Sequence, residues 1–233
     1  MIVNKIYNGD CLDLIKEIPD ECIDAVITDP PYSSQVQHNG QSAVLSDLNI
    51  CKPFFLELLR EIKRVLKPNG LVYWFCDWRS YPFYKYLFDD VLPPKNMLVW
   101  NKSGRANQYY CMSHEIIIFC VNGTGCMIPK SSIITEIGFT NGARQSNGEK
   151  VHPTQKSIEI MSRLITDGTK KGDLILDCFA GSCTTAVSAI YNNRNFICFE
   201  LQEKYCEIGQ QRINKAKEIY NFEELETKTN KLF

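Results

Sequence analysis

An acidic residue, two prolines and a tyrosine form the segment Asp29–Tyr32, directly behind the apolar run Ile23–Thr28. The proline rings fix the backbone and push their preceding residues into extended geometry, so the turn that leaves this predicted strand is stiff. A carboxylate, an outward carbonyl and a flat ring held together suit a planar group that carries an exocyclic amine. The carboxylate and the carbonyl would accept its two N–H bonds while the ring stacks on its face. The alternative is an ordinary proline turn after a strand.

A second segment of chemical interest is Asp177–Ser182, which follows the apolar residues 174–176. A strand, a turn of small residues and a helix in that order let a nucleotide-like ligand approach the backbone near a helix N-terminus. No Gly-Lys-Ser/Thr follows, so this turn is not a phosphate-binding loop. The next predicted strand, Asn195–Phe199, is followed by Glu200, an acidic residue placed to bind ribose hydroxyls. Taken alone, the segment could equally be a structural glycine turn.

Together with His152–Lys156, these two segments resemble the DNA amino-methyltransferases that use S-adenosylmethionine. The Asp-Pro-Pro-Tyr block comes first in this chain, an order that resembles the permuted β class of that family. The same order argues against the relatives that act on ribosomal RNA or on protein glutamine. Two positions depart from the family pattern, since Ser157 replaces a proline and Cys183 replaces a glycine. The resemblance covers nearly the whole chain and implies a Rossmann-like methyltransferase fold with permuted motif order.

The resemblance also implies which residues form the site. The catalytic block is Asp29, Pro30, Pro31 and Tyr32, in which the aspartate and the first proline carbonyl accept the amine hydrogens and the tyrosine stacks on the base. The implied cofactor residues are Asp10, Thr154, Lys156, Asp177, Phe179, Gly181, Ser182 and Glu200. Among them, Lys156 is expected to pair with the methionine carboxylate and Glu200 to hold the ribose. Asp10 is expected to meet the adenine moiety, and a plain helix cap is its alternative.

The implied reaction is the transfer of a methyl group from S-adenosylmethionine to an amino group of a base in double-stranded DNA. Because that atom is inaccessible inside a duplex, the base must be flipped out. An aspartate at the first position of the block favours adenine N6, and cytosine N4 is the alternative within the class. A DNA- and cofactor-binding protein without turnover is the alternative outside it. A homodimer and a cognate restriction enzyme stay open as partners.

Length and composition indicate one domain over residues 1–233. A chain of 233 residues with 44% hydrophobic content can bury a sizeable core. No apolar run approaches the roughly 18 residues that a membrane span needs, and the first residues do not form a secretory signal. The eleven cysteines lack Cys-x-x-Cys spacing and several lie in strand-like runs. This pattern favours buried thiols in a cytoplasmic protein, without disulfides and without a metal site.

The alternation of apolar runs predicts an α/β fold with a doubly wound, mostly parallel sheet of seven strands and interleaved helices. A helix is expected over Pro53–Leu66, where apolar residues recur at helical spacing, and a buried strand over Leu71–Cys76. The resemblance implies that Glu115–Val121, the last strand before a variable segment, is antiparallel. His114 and Glu115 look like a family landmark at its start. The polar tail 221–233 is expected to fray.

Two polar stretches interrupt this alternation. Residues 33–50 are expected to form a mobile loop that closes over the target base, with a plain surface insertion as the alternative. Residues 122–151 match the position of the target-recognition region of the family, and their basic residues Lys130, Arg144 and Lys150 are predicted to contact DNA. The net charge is −1, yet residues 91–160 carry seven basic against four acidic side chains. This balance fits phosphate contacts and an ordinary solvated surface equally well.

Overall fold

A computed structural model describes residues 1–31, 50–105, 109–125, 128–135 and 156–220. Several predicted features lie outside these residues. They are Tyr32, Arg144, Lys150, Thr154, nearly all of the 33–50 loop, most of the 122–151 segment and the 221–233 tail.

The described residues form eight strands and six helices. The strands are β1 (Lys5–Asn8), β2 (Ile23–Thr28), β3 (Leu66–Cys76), β4 (Pro94–Arg105), β5 (Met112–Val121), β6 (Ile133–Ile134), β7 (Leu174–Asp177) and β8 (Asn195–Glu200). The helices are α1 (Cys11–Ile15), α2 (Lys52–Val65), α3 (Tyr81–Val91), α4 (Ile158–Gly168), α5 (Thr184–Tyr191) and α6 (Glu203–Tyr220). None of these helices has the length and apolar character that a membrane span requires.

All eight strands join one sheet in the order β1-β8-β7-β2-β3-β5-β4-β6. Strand β5 is antiparallel to both of its neighbours, β3 and β4, and the other pairs are parallel. The mostly parallel sheet and the antiparallel strand before the variable segment are therefore confirmed. The predicted count was one strand short, because β6 has only two residues and adds to the sheet edge beside Val99 and Trp100. A strand of two residues is too short to show the alternation of apolar and polar residues by which strands are predicted.

Helices cover both faces of the sheet. The core on one face packs α1, α2 and α3 against side chains such as Val26, and the core on the other packs α4, α5 and α6 against Ala25 and Ile27. Successive residues of β2 point to opposite faces, so its near-continuous apolar run supplies both cores at once. This burial on two sides is the physical reason that the carboxyl ends of the parallel strands form one fixed edge.

The boundary between α2 and β3 differs from the prediction. The helix ends at Val65 and the strand begins at Leu66, so the Pro-Asn-Gly stretch lies inside β3. The strand tolerates this interruption because its pairing with β2 shifts register after Ile23 and Asn69 adopts a positive φ of 65°. The side-chain amide of Asn122 also donates to the Leu66 carbonyl. The Pro-Asn-Gly stretch, which in the sequence indicated a turn, thus forms an irregularity within strand β3.

Candidate active site

The two chemical segments of the sequence meet at one edge of the sheet. Strands β2 and β7 are parallel neighbours, with Val26 paired to Leu176, so Asp29 and the turn after Asp177 leave the sheet side by side. Glu200 ends β8, the strand beyond β7. Carboxyl ends of parallel strands are the usual place for ligands in such sheets. Residues separated by about 150 positions in the chain are therefore brought together.

A buried hydrogen-bond network joins the two turns. Thr28 Oγ1 donates to Asp177 Oδ1 at 2.8 Å, and Thr185 Oγ1 donates to Asp177 Oδ2 at 2.6 Å. The backbone N–H of Phe179 also donates to Asp177 Oδ1, at 3.1 Å. Burial raises the pKa of Asp177 to about 6, although these hydrogen bonds favour its ionised form. Through these hydrogen bonds Asp177 holds the end of β2, next to Asp29, against the turn that begins at Cys178.

The proline turn is anchored from α3. Pro30 is buried, and the Tyr84 hydroxyl donates to the Pro31 carbonyl oxygen at 2.8 Å. Tyr84 is fully buried, with its ring centroid 5.1 Å from that of Phe55 and 5.3 Å from that of Trp74. Because these rings fix the tyrosine, its hydroxyl fixes the turn. The stiffness that two prolines predicted is thus reinforced by a tertiary contact.

Asp29 offers one carboxylate oxygen to a ligand. Its Oδ2 lies 2.9 Å from the Lys156 Nζ, whereas its Oδ1 is buried and has no hydrogen-bond partner among the described residues. Burial raises the pKa of Asp29, the Lys156 ammonium works against that rise, and the Glu115 carboxylate adds to it. A buried acceptor without a partner is costly. Such an atom is suited to receive an N–H group from a bound substrate.

Lys156 lies between two carboxylates of the protein. Its Nζ is 2.9 Å from Glu115 Oε2 as well as from Asp29, and it stands 5.1 Å from the Phe75 ring centroid. The Lys102 ammonium pairs with the other oxygen of Glu115. The sequence assigned Lys156 to the cofactor and noted Glu115 only as a landmark, so these contacts were missed. One signal was available, since Glu115 is a lone charge beside the apolar run that begins at Ile116.

The cofactor turn has space in front of it. Gly181 has a positive φ of 50°, and a Cβ built there would meet no atom within 4 Å. Cys183 also adopts a positive φ of 60°, which explains why the family pattern has glycine at this position. A side chain fits here because Gly209 of α6 makes room, and a Cβ on Gly209 would lie 2.5 Å from the Cys183 Sγ. The cysteine therefore depends on the glycine opposite.

Arg212 holds Ser182 from α6. Its guanidinium donates to the Ser182 carbonyl, to Ser182 Oγ at 2.9 Å and to Thr184 Oγ1 at 3.2 Å. Phe179, on the other side of the turn, is half-buried, with its ring centroid 6.3 Å from that of Trp74. Arg212 lies in a helix whose sequence gives no sign of this contact. It is a supporting residue that sequence reasoning missed.

Glu200 and Asp10 both accept backbone hydrogen bonds. Glu200 Oε2 accepts from the Gly181 N–H and Oε1 from the Gln202 N–H, each at 2.8 Å. Asp10 Oδ1 accepts from the Leu12 N–H at 2.8 Å, so Asp10 caps α1, as its alternative reading predicted. Each carboxylate oxygen has a further lone pair, and both side chains still have acceptor capacity for a ligand. Glu200 thereby links the glycine turn to the edge where ribose hydroxyls would bind.

Lys130 lies away from this edge. Its Nζ is 3.0 Å from Asp167 Oδ1, near the end of α4 that is remote from Lys156. At about 1.5 Å per helical residue, the distance along α4 from its first residue, Ile158, to Asp167 is roughly 14 Å. The Lys130 side chain is 51% exposed, so its predicted contact with DNA stays a prediction, and its ion pair with Asp167 would have to break for that contact to form.

The residues at this edge fit a nucleoside-bearing cofactor. Open space faces the backbone of Gly181, the Glu200 carboxylate stands beside it, and Phe179 offers an apolar ring. Within the described ranges, no cluster of three or more His, Cys, Asp or Glu side chains could hold a metal ion. The edge therefore combines open space in front of the Gly181 backbone with the buried Asp29 carboxylate.

The family model described as DNA methylase (N6/N4 type) matches residues 23–126 and 128–211 of the chain. The DNA adenine methyltransferase YhdJ of Escherichia coli strain K12 is 30% identical over 254 residues, which cover 94% of this chain and 85% of that protein. This relative and the family match confirm the resemblance that the Asp-Pro-Pro-Tyr block indicated.

Two solved structures share the fold. The crystal structure of the M1.HpyAVI–SAM complex superposes with a TM-score of 0.68 at 24% identity, covering 90% of this chain and 99% of that one. The cytosine-N4-specific PvuII DNA methyltransferase superposes with a TM-score of 0.73 at 19% identity, covering 93% and 90% of the two chains. The predicted methyltransferase fold is confirmed. The family uses S-adenosylmethionine as its methyl donor, as the sequence predicted. The chain belongs to the N6/N4 DNA methylase family.

Proposed function

We propose that this protein transfers a methyl group to the N6 amino group of adenine in DNA, on a base flipped out of the duplex. The observation that carries the proposal is the carboxylate of Asp29, of which one oxygen is anchored by Lys156 and the other is buried without a partner among the described residues. A fixed, single acceptor at the carboxyl edge of a parallel sheet matches the geometry of an amine N–H donor.

The chemistry requires positioning more than an activated nucleophile. The lone pair of the exocyclic amine is delocalised into the base, and accepting its hydrogens favours a pyramidal nitrogen that can attack in line. Asp29 Oδ1 accepts one hydrogen and the Pro30 carbonyl the other, while Tyr32 stacks on the base. S-adenosylmethionine supplies an electrophilic methyl group on a sulfonium, so no covalent enzyme intermediate is needed. After transfer, the product nitrogen releases its proton to Asp29 or to water.

The cofactor would be held by residues at the carboxyl ends of three strands, β1, β7 and β8. Glu200 binds the ribose, and Phe179, Gly181 and Ser182 form the turn against which the cofactor lies. Asp177 supports that turn through its hydrogen bonds to Thr28 and to the Phe179 N–H. Asp10, which lies beside the end of β8, binds the adenine moiety. Thr154 is assigned to the methionine region by resemblance.

Adenine is favoured over cytosine by two observations. Asp29 occupies the first position of the block, which resembles adenine enzymes, and YhdJ, named an adenine methyltransferase, is 30% identical over most of its length. The cytosine-N4-specific PvuII enzyme is 19% identical, so its likeness bears on the fold alone. Cytosine N4 is the second candidate, because both bases present the same C–NH₂ edge. The buried acceptor on Asp29 argues against a binding protein without turnover.

The β4–β5 hairpin is the element that we expect to face the DNA. Strand β5 pairs with β4 from Trp100–Glu115 out to Arg105–Met112, so the hairpin continues past Glu115 by three β5 residues, roughly 10 Å. Tyr109 and Tyr110 follow this extension and are 83% and 91% exposed. Two exposed aromatic rings beyond the catalytic edge are suited to stack against unpaired bases or to fill the gap that a flipped base leaves.

The deciding experiment is to incubate DNA with the purified protein and S-adenosylmethionine, digest it to nucleosides and analyse them by mass spectrometry. The expected product is N6-methyladenine. N4-methylcytosine would overturn the adenine assignment, and the absence of any methylated nucleoside despite cofactor binding would overturn the catalytic one. The Asp29→Asn variant serves as the matched control, since it keeps the shape of the side chain and removes its charge.

A further inference from the structure

Four charged side chains form a cluster behind the catalytic turn. The cluster consists of Asp29, Glu115, Lys102 and Lys156, which come from the turn after β2, from β5, from β4 and from the segment just before α4. Lys156 lies 2.9 Å from both carboxylates, and Lys102 pairs with the remaining oxygen of Glu115. The side chains of Lys156 and Glu115 are only 8% and 13% exposed. Two acidic and two basic groups balance, so the cluster carries no net charge when all four are ionised.

The pairing leaves Asp29 Oδ1 as the available acceptor. Both oxygens of Glu115 face ammonium groups, and Lys156 bridges Glu115 and Asp29 Oδ2. The chain of contacts therefore runs from Lys102 through Glu115 and Lys156 to Asp29. Breaking an inner link would leave a buried charge without its counter-charge, which is strongly unfavourable. The cluster can thus hold the Asp29 carboxylate in one orientation before any substrate arrives.

The titratable groups around Asp29 are few and can be named. Lys156 and Lys102 favour its ionised form, whereas Glu115 disfavours it. Asp177, from β7, lies near enough for the two carboxylates to repel each other. From β3, the Cys76 thiol faces the same cluster and has its pKa raised well above its usual value by burial. Removing single members of the cluster should therefore shift the Asp29 titration in predictable and different directions.

We propose that Glu115 and Lys102 are positioning residues of the methyl transfer, which act through Lys156 to fix Asp29 with Oδ1 toward the substrate amine. This inference rests on the proposed function, and it assigns Lys156 to the catalytic carboxylate instead of to the cofactor. The roles follow from the contacts alone, since every link is a direct ion pair.

The test compares Glu115→Gln with Lys156→Met in single-turnover methylation of an oligonucleotide duplex, measured from about pH 4 to pH 9. Both variants should lose roughly ten- to hundredfold in rate, because Asp29 is no longer held in one orientation. The acidic limb of the profile should move to lower pH in Glu115→Gln, which removes a neighbouring negative charge. It should move to higher pH in Lys156→Met, which removes the counter-charge. The affinity for S-adenosylmethionine, measured by calorimetry, should stay near the wild-type value in both.

Lys67→Met is the matched control. Lys67 of β3 pairs at 2.7 Å with Asp24, which lies near the start of β2, whereas Asp29 follows the end of that strand. It breaks an ion pair of similar length, although a more exposed one, and should leave the profile unchanged. Thermal unfolding shows whether each variant is folded. If Glu115→Gln is not folded, Lys102→Met replaces it. Its acidic limb should move to higher pH, by less than in Lys156→Met.

Two results would overturn the inference. The first is a folded Glu115→Gln variant whose acidic limb stays in place or moves in the same direction as that of Lys156→Met. The second is a loss of cofactor affinity in Lys156→Met that accounts for its lower rate. A wild-type protein that methylates no base would instead contradict the proposed function, so the two failures are distinguishable.

Discussion

Thr28 Oγ1 lies 2.8 Å from Asp177 Oδ1 and ties the end of β2 to the end of β7. The next residue after Thr28 is Asp29, the proposed catalytic residue, and the Asp177 carboxylate also accepts a hydrogen bond from the Phe179 N–H. This buried hydrogen bond, together with the β2–β7 pairing, sets the spacing between the Asp29 segment and the Asp177 segment. A shift of either strand end would displace both.

The stability of the protein should depend on pH through the titration of Asp177. The pKa of Asp177 is raised from 3.8 to about 6 by burial, so the native state binds its proton more tightly than the unfolded state does. Its stabilising contribution is full below about pH 4 and is lost as the pH rises through 6. The free energy of unfolding of the wild type, relative to Asp177→Asn, should therefore fall by roughly 2–3 kcal/mol across that window. Denaturant titrations at several pH values measure it, and a difference that does not vary with pH would contradict the shift.

Replacing the catalytic carboxylate should separate chemistry from cofactor binding. Asp29→Ala should abolish methyl transfer, because it removes the buried Oδ1 acceptor on which the proposed mechanism depends. Binding of S-adenosylmethionine should be largely retained, since in the proposed function the carboxylate meets the amine and not the sulfonium. Transfer of radiolabelled methyl groups and calorimetry measure the two properties. Turnover near the wild-type rate would show that the catalytic block is wrongly assigned.

The open space at Gly181 should be needed by the cofactor. Gly181 and Gly172 have positive φ angles of 50° and 85°, and a Cβ at either would meet no atom within 4 Å. Alanine at each position should cost about 1–2 kcal/mol of stability through backbone strain. Only Gly181→Ala should also weaken the binding of S-adenosylmethionine, because only Gly181 lies at the carboxyl edge. Equal cofactor affinities in the two variants would place the cofactor elsewhere.

Glu200 should contribute to cofactor affinity in two ways. It orders the Gly181 N–H and, in the proposed function, binds the ribose hydroxyls. Glu200→Ala should weaken S-adenosylmethionine binding by about 1–3 kcal/mol, the scale of a lost charge-assisted hydrogen bond. Glu203→Ala, an exposed glutamate at the start of α6, is the control and should bind normally. Unchanged affinity in Glu200→Ala would remove this residue from the site.

The basic residues of the 122–151 segment should not behave alike. Lys130 pairs with Asp167 at the remote end of α4, so Lys130→Ala should leave the salt dependence of DNA binding unchanged. Arg144→Ala with Lys150→Ala should flatten that dependence, since each lost phosphate contact lowers the slope by about one unit. Titrations of a duplex at several salt concentrations measure both. A flatter slope in Lys130→Ala would show that its ion pair with Asp167 opens on DNA.

The sequence by itself determined the features that depend on local pattern. Asp29–Tyr32 and Asp177–Ser182 follow short apolar runs that predict buried strands, and together they indicated the DNA amino-methyltransferase family. A strand buried on both faces must end at a defined edge, so the placement of these segments at one edge of a parallel sheet was predictable.

Only the tertiary structure decided which side chains support the site. Lys156 contacts Asp29 across 127 positions of sequence, and Arg212 of α6 contacts Ser182 in the turn before α5. Strand register brings Glu115 opposite Trp100 and so beside Lys102. Periodicity reports which face of an element is buried, but it carries no information on which distant partner a charged side chain meets there. The reason is physical, because ion pairs and hydrogen bonds depend on distances of a few ångströms that only the packed chain fixes.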